Sequence, residues 1–211
     1  MPEALDFLRQ DHRNMAALLR MLARQVDKFQ SGERPDYDVI GAILDYFVSF
    51  PDAYHHPRED MIFAKLRDRD PRAAEGIGDL PAEHTELAAR AREFSTRLRA
   101  VLEEAEIPRE AFARCARRFI DHQRQHIDRE ESAFFPAAEK ILTPTDWREL
   151  NALMTRADDA GERFEQLRKT ILQWQAEDET AAVQDRDPKA AHAAEQHAPA
   201  LEMSHVAGFK F

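Results

Sequence analysis

Four histidines and two glutamates recur along the chain at a nearly constant offset. His12 returns as His84 after 72 residues; His55 and Glu59 return as His126 and Glu130 after 71. Each half thus carries a lone histidine and then a His-x-x-x-Glu pair. Imidazole plus carboxylate without thiolate suits a non-haem iron, manganese or zinc centre. Spacing i, i+4 sets His and Glu one turn apart on one helical face, where both can reach one ion. Two copies of the set suggest two metals. No residue is assigned a catalytic role.

These side chains meet only if helices bring them to one interior. Leu8, His12, Met15, Leu19, Leu22, Val26 and Phe29 step by four and three, an amphipathic helical seam with His12 inside it. The segment 31–36 breaks this helix. A second seam runs through Ile40, Leu44, Phe47, Pro51, His55, Glu59, Ile62 and Leu66. Pro51 and Pro57 each lack a backbone donor, which predicts a kink or break beside the histidines. A turn is expected over 68–79. Asp79 then caps a third helix with Pro81 in its first turn, and its seam is Leu80, His84, Leu87, Ala91, Phe94, Leu98 and Val101. Pro108 starts the fourth, whose inward line reads Phe112, Cys115, Phe119, His122, His126, Glu130, Ala133, Ala137 and Ile141. Thr143-Pro144 reads as the start of a fifth helix that packs on the others.

An inward glutamate without a partner costs several kcal/mol. No Lys or Arg lies on these seams, so metal is the compensating charge. The repeat also ranks adjacent histidines. The counterpart of His56 is Ile127 and that of His122 is Pro51, so His55 and His126 stand as ligands. His56 and His122 remain as supporting groups or spare ligands.

Composition narrows the rest. Only 6 glycines and 33% charged residues in 211 favour an all-α domain. A net charge of -10 argues against nucleic acid as partner. No apolar run of about 18 residues crosses a membrane, and no secretory signal opens the chain. Cys115 is the single cysteine, which excludes an internal disulfide and a cysteine-held metal. The expected location is the cytoplasm. The domains read as 1–142, a helical bundle; 143–175, an added helix; and 176–211, a polar flexible tail.

The segments DH at 11–12, HHPREDMIF at 55–63, EH at 83–84 and HIDREESAFFP at 126–136 resemble the hemerythrin (HHE cation-binding) family over about 1–142. The resemblance implies an up-down-up-down four-helix bundle around two non-haem iron ions joined by oxo and carboxylate bridges. It makes Glu59 and Glu130 the bridges and His12, His55, His84 and His126 terminal ligands. The oxygen-carrying members have a further histidine four residues after the third-helix one; here that position is Ala88. Their fourth-helix carboxylate lies five residues after its histidine, which would select Glu131. The His-x-x-x-Glu form resembles the iron–sulfur repair branch. The resemblance implies binding or sensing of O2, NO or peroxide at an open iron position. The alternatives are iron handling, iron–sulfur repair, or a di-iron enzyme with peroxidase-, catalase- or ferroxidase-like turnover. Whether the protein is an enzyme, and whether monomer or homodimer, stays open.

Overall fold

The computed structural model describes residues 3–103, 108–156, 170 and 173–174. Contacts divide the chain into two units, Met1–Ile171 and Leu172–Phe211; the first is described below. The described residues are all-helical, without strands. Most of the expected fifth helix beyond residue 156, and the segment 176–211, lie outside them. No described helix is long and apolar enough to cross a membrane.

Helix α1 spans Glu3–Ser31, and all seven positions of its seam are buried. Asp36 caps α2, Tyr37–Phe50, by accepting from the amides of Asp38 and Val39. A wide turn at Pro51–His55 carries this helix into α3, His56–Arg69. The expected kink takes this form. The amide of His56 reaches back five residues to the Pro51 carbonyl, and Pro57, which has no N–H to give, follows at once.

The segment expected as a turn before the third helix contains a short helix instead, α4, Pro71–Ile77. Asp70 caps it and Pro71 occupies its first turn, so a complete start signal precedes Arg-Ala-Ala-Glu. Gly78, at φ 103°, ends it in a backbone region that disfavours any side chain. Asp79 then caps α5, Leu80–Leu102, by accepting from the Ala82 amide.

Helix α6, Arg109–Arg129, continues through a second wide turn at Glu130–Phe134 into α7, Phe135–Ile141. Here the sequence-derived seam needs correction. Ala133 is exposed, and Ala137 and Ile141 are half-buried, whereas Phe134, Ala138 and Leu142 are buried. The wide turn adds one residue, so every later inward position moves on by one. Upstream, Gln123 rather than His122 continues the buried line from Phe119 to His126; His122 is half-buried.

Helix α1 packs against α2, α6 and α8; α5 packs against α2, α3 and α6; and α3 packs against α7 and α8. One end of the interior is an apolar cluster that includes Leu5, Leu8, Phe63, Leu66, Phe134 and Phe135. The other is aromatic: Phe112 meets Phe29 and Phe94, and Phe119 meets Phe47 and Phe94. Helix α8, Pro144–Arg156, adds Trp147, Leu150 and Met154 to the first end. Thr143 and Asp146 form a reciprocal cap at its start, each accepting from the other's amide. Arg69 donates two bonds to Asp146, at 3.0 and 2.8 Å, and so ties α8 to α3.

Candidate metal centre

Between the two apolar ends lies a polar layer that an ordinary core would not tolerate. Glu59 is 0% and Glu130 1% exposed, and His12, His55, His56, His84 and His126 are all buried around them. No Lys or Arg is buried among the described residues.

The side chains form two groups with one member in common. The first is His12, His55, Glu59 and Glu130; the second is His56, Glu59, His84 and His126. Within each group the potential ligand atoms lie within 4.8 Å of one another. Both carboxylates face both ways. Glu59 Oε1 is 3.4 Å from His12 Nε2 and 3.2 Å from His55 Nε2, while its Oε2 is 3.5 Å from His84 Nε2. Glu130 places Oε2 3.3 Å from His12 Nε2, and Oε1 3.2 Å from His126 Nε2 and 3.5 Å from His84 Nε2.

All six residues of the repeated set therefore meet in one interior. Of the three additional positions, His56 also lies there, its ring stacked on that of His84 at 4.0 Å between centroids. The repeat ranks His56 low because Ile127 stands at its counterpart. The two wide turns explain the difference. One precedes Glu59 and ends at His55, whereas the other begins at Glu130. The halves are thus out of register around the histidines, and two consecutive residues, His55 and His56, face inward, one into each group. His122 joins neither group; it lines a surface cleft with Glu83, Leu87, Gln125, His126 and Arg129, so the cleft reaches one residue of the second group. Glu131 is 34% exposed and touches the far nitrogen of His12, Nδ1, at 2.8 Å. Ala88 is buried on α5 one turn beyond His84.

The donor set fits a metal. Glu59 Oε1 and Oε2, Glu130 Oε2, His126 Nε2 and His56 Nδ1 are buried with no hydrogen-bond partner. Such orphaned atoms cost about 1–3 kcal/mol each, and more when charged. The Nε2 atoms of His12 and His55 face each other at 3.0 Å, an arrangement that needs a proton or a cation between them. Imidazole nitrogens and carboxylate oxygens suit iron, manganese or zinc.

Without metal, protons carry the compensating charge. Burial opposes charging His12, but hydrogen bonds to Glu130, Glu131 and Glu59 outweigh it and raise its pKa to about 11. Burial against Glu59 and Asp11 leaves His55 at about 9. Burial against Asp60, Glu130 and Glu59 leaves His84 at about 9. Burial, reinforced by His84 and His55, lowers His56 to about 2. Burial also opposes charging Glu59, yet His55 and His12 hold its carboxyl well below the usual range.

A histidine whose folded pKa is raised stabilises the fold fully below its unfolded value and loses that contribution as pH rises through the folded value. Above 6.5, the ordinary histidine value, His56 is neutral whether folded or unfolded and adds nothing. The metal-free chain is therefore expected to lose thermal stability from pH 6.5 upward, most steeply to about 9, where His55 and His84 have lost their advantage, and more gently to about 11 as His12 loses its own. Thermal melts in excess chelator across that range test this, and a flat or rising midpoint contradicts it. Metal must displace those protons, so metal affinity rises over the same range.

The model of the Hemerythrin HHE cation binding domain matches residues 3–138. No curated protein matches the chain. That match runs from α1 into α7 and takes in every residue of both side-chain groups, so the chain belongs to the hemerythrin HHE cation-binding family.

Proposed function

We propose that this is a non-haem di-iron protein that binds or senses a small ligand, O2, NO or peroxide, in an up-down-up-down four-helix bundle. The observation that carries this reading is the pair of buried two-faced glutamates, with five imidazoles divided between two groups. His12 and His55 would hold one ion, and His56, His84 and His126 the other, with Glu59 and Glu130 between them. Iron held by these residues would supply reversible electron transfer and binding of a diatomic molecule or peroxide.

The protein's own part is to hold those positions dry and anionic. Two glutamates offset much of the charge of two divalent ions. Phe135 stacks against the His12 ring at 5.3 Å between centroids and shields that side from water. The first group offers two imidazoles and the second three. An ion held beside His12 and His55 would therefore have fewer protein donors than one beside His56, His84 and His126, which favours the first group as the place for the small ligand. The ring of contacts among α1, α2 with α3, α5, and α6 with α7 supports the four-helix topology. The lone Cys115, without a disulfide partner, fits a reducing cytoplasm.

Absorption spectra of the iron-loaded protein, taken anaerobically and then with O2, NO and peroxide, test the proposal. At least one ligand is expected to shift the spectrum reversibly, without sustained consumption. Unchanged spectra with all three contradict ligand binding, and continuous consumption of peroxide assigns the site to an enzyme.

A further inference from the structure

Beyond the buried set, four partly exposed carboxylates occupy equivalent places. Asp11 precedes His12, and Glu83 precedes His84; Asp60 follows Glu59, and Glu131 follows Glu130. These acids obey the same repeat as the interior residues, Asp11 to Glu83 by 72 positions and Asp60 to Glu131 by 71.

Each reaches the outer nitrogen of a histidine on the next helix. Asp11 on α1 meets His55 Nδ1 at 3.2 Å. Asp60 on α3 meets His84 Nδ1 at 3.0 Å. Glu83 on α5 meets His126 Nδ1 at 3.4 Å. Glu131, beyond α6, meets His12 Nδ1 at 2.8 Å and closes the circle. Helix geometry makes this natural. Successive residues are offset by rather more than a quarter turn, so the neighbour of an inward residue points sideways toward the adjacent helix. Two of the acids are themselves anchored: Arg129 is 2.7 Å from Glu83, and Arg9 is 3.4 Å from Glu131.

We propose that Asp11, Asp60, Glu83 and Glu131 are positioning residues, a closed ring in which each helix fixes the histidine of the next for metal. A carboxylate on Nδ1 holds the proton there and leaves Nε2 as the lone-pair donor facing the interior. It also fixes the ring plane and makes Nε2 more basic. The circular order locks the four helices together at the height of the centre, so the ligands are aligned before metal arrives. His56 stands outside the ring. The acid beside it, Asp52 at 3.3 Å, lies four residues back in the adjoining wide turn and not on a neighbouring helix, and the His56 Nδ1 has no hydrogen bond.

This inference rests on the metal-centre reading, and zinc serves as the probe because it is diamagnetic and binds such donors more tightly than ferrous iron. Full-length wild type, Asp60→Ala, Asp60→Asn, Glu131→Ala, Glu131→Gln and the remote control Glu93→Gln are compared by chelator competition and proton NMR of the zinc form. The alanine variants are expected to lose about 10–100-fold in affinity. The amide variants lose less, because their carbonyl oxygen still accepts from Nδ1–H. Asp60→Ala is expected to remove only the slowly exchanging ring N–H of His84, and Glu131→Ala only that of His12. Unchanged affinity with every ring N–H retained overturns the ring while leaving the metal centre in place. A wild-type chain that takes up no zinc overturns both.

Discussion

Glu59→Ala is expected to release metal from both positions at once. One oxygen of Glu59 faces His12 and His55 and the other faces His84, so its loss deprives both groups of a charged donor. Removing a group that merely backs a ligand costs about 10–100-fold in affinity, and removal of a shared ligand should exceed the upper end of that range. His56→Ala is expected to weaken only the second position, since its ring belongs only to the group with His84 and His126. His122→Ala is expected to change neither, because that ring belongs to neither group, although it shares a surface cleft with His126. Metal content after dialysis against a graded chelator separates the three. Equal losses from all three variants contradict the assignment.

The second large effect is on stability. A bundle with two buried carboxylates and five buried imidazoles folds best when those groups are compensated. A ligand that binds only the folded chain, present at a thousand times its dissociation constant, adds about 4 kcal/mol. For a domain of this size that corresponds to a melting shift of roughly 8–16 °C per site. Chelation is therefore expected to lower the midpoint by at least that much at neutral pH. Calorimetry with and without chelator checks it. A shift of less than about 2 °C, near the change produced by about 1 kcal/mol, would mean that the layer is satisfied without metal.

Much of this architecture is written in apolar periodicity. The seam from Leu8 to Phe29 places every member in the core, because nothing interrupts the regular turn of α1. The line beyond Glu130 was less readable, because a regular period cannot carry a wide turn. Two local signals nevertheless mark such turns. Inward positions recur in uninterrupted steps of four, from Phe47 to Glu59 and from His126 to Ala138, too wide for a regular helix to keep on one face. A proline also follows each five-residue bond directly, Pro57 in one case and Pro136 in the other.

The same turns explain why the repeat ranked His56 low. An offset argument assumes that both halves keep one register, and the turns fall at different places in the two halves. The repeat also held more than the six ligand candidates. Asp11, Asp60, Glu83 and Glu131 follow it equally well, but a carboxylate beside a buried residue reads as ordinary surface until the neighbouring helix is placed against it. Helix α4 was hidden for a simpler reason: a stretch of seven residues is too short to establish a period, and its start signal at Asp70-Pro71 also suits a turn.

In the proposed centre, two groups of side chains hold two ions, with Glu59 and Glu130 facing both. The most direct test is iron per folded chain, measured by elemental analysis after anaerobic loading and removal of loosely bound metal. Two irons per chain are expected, one for each group. One iron, or none, contradicts the account.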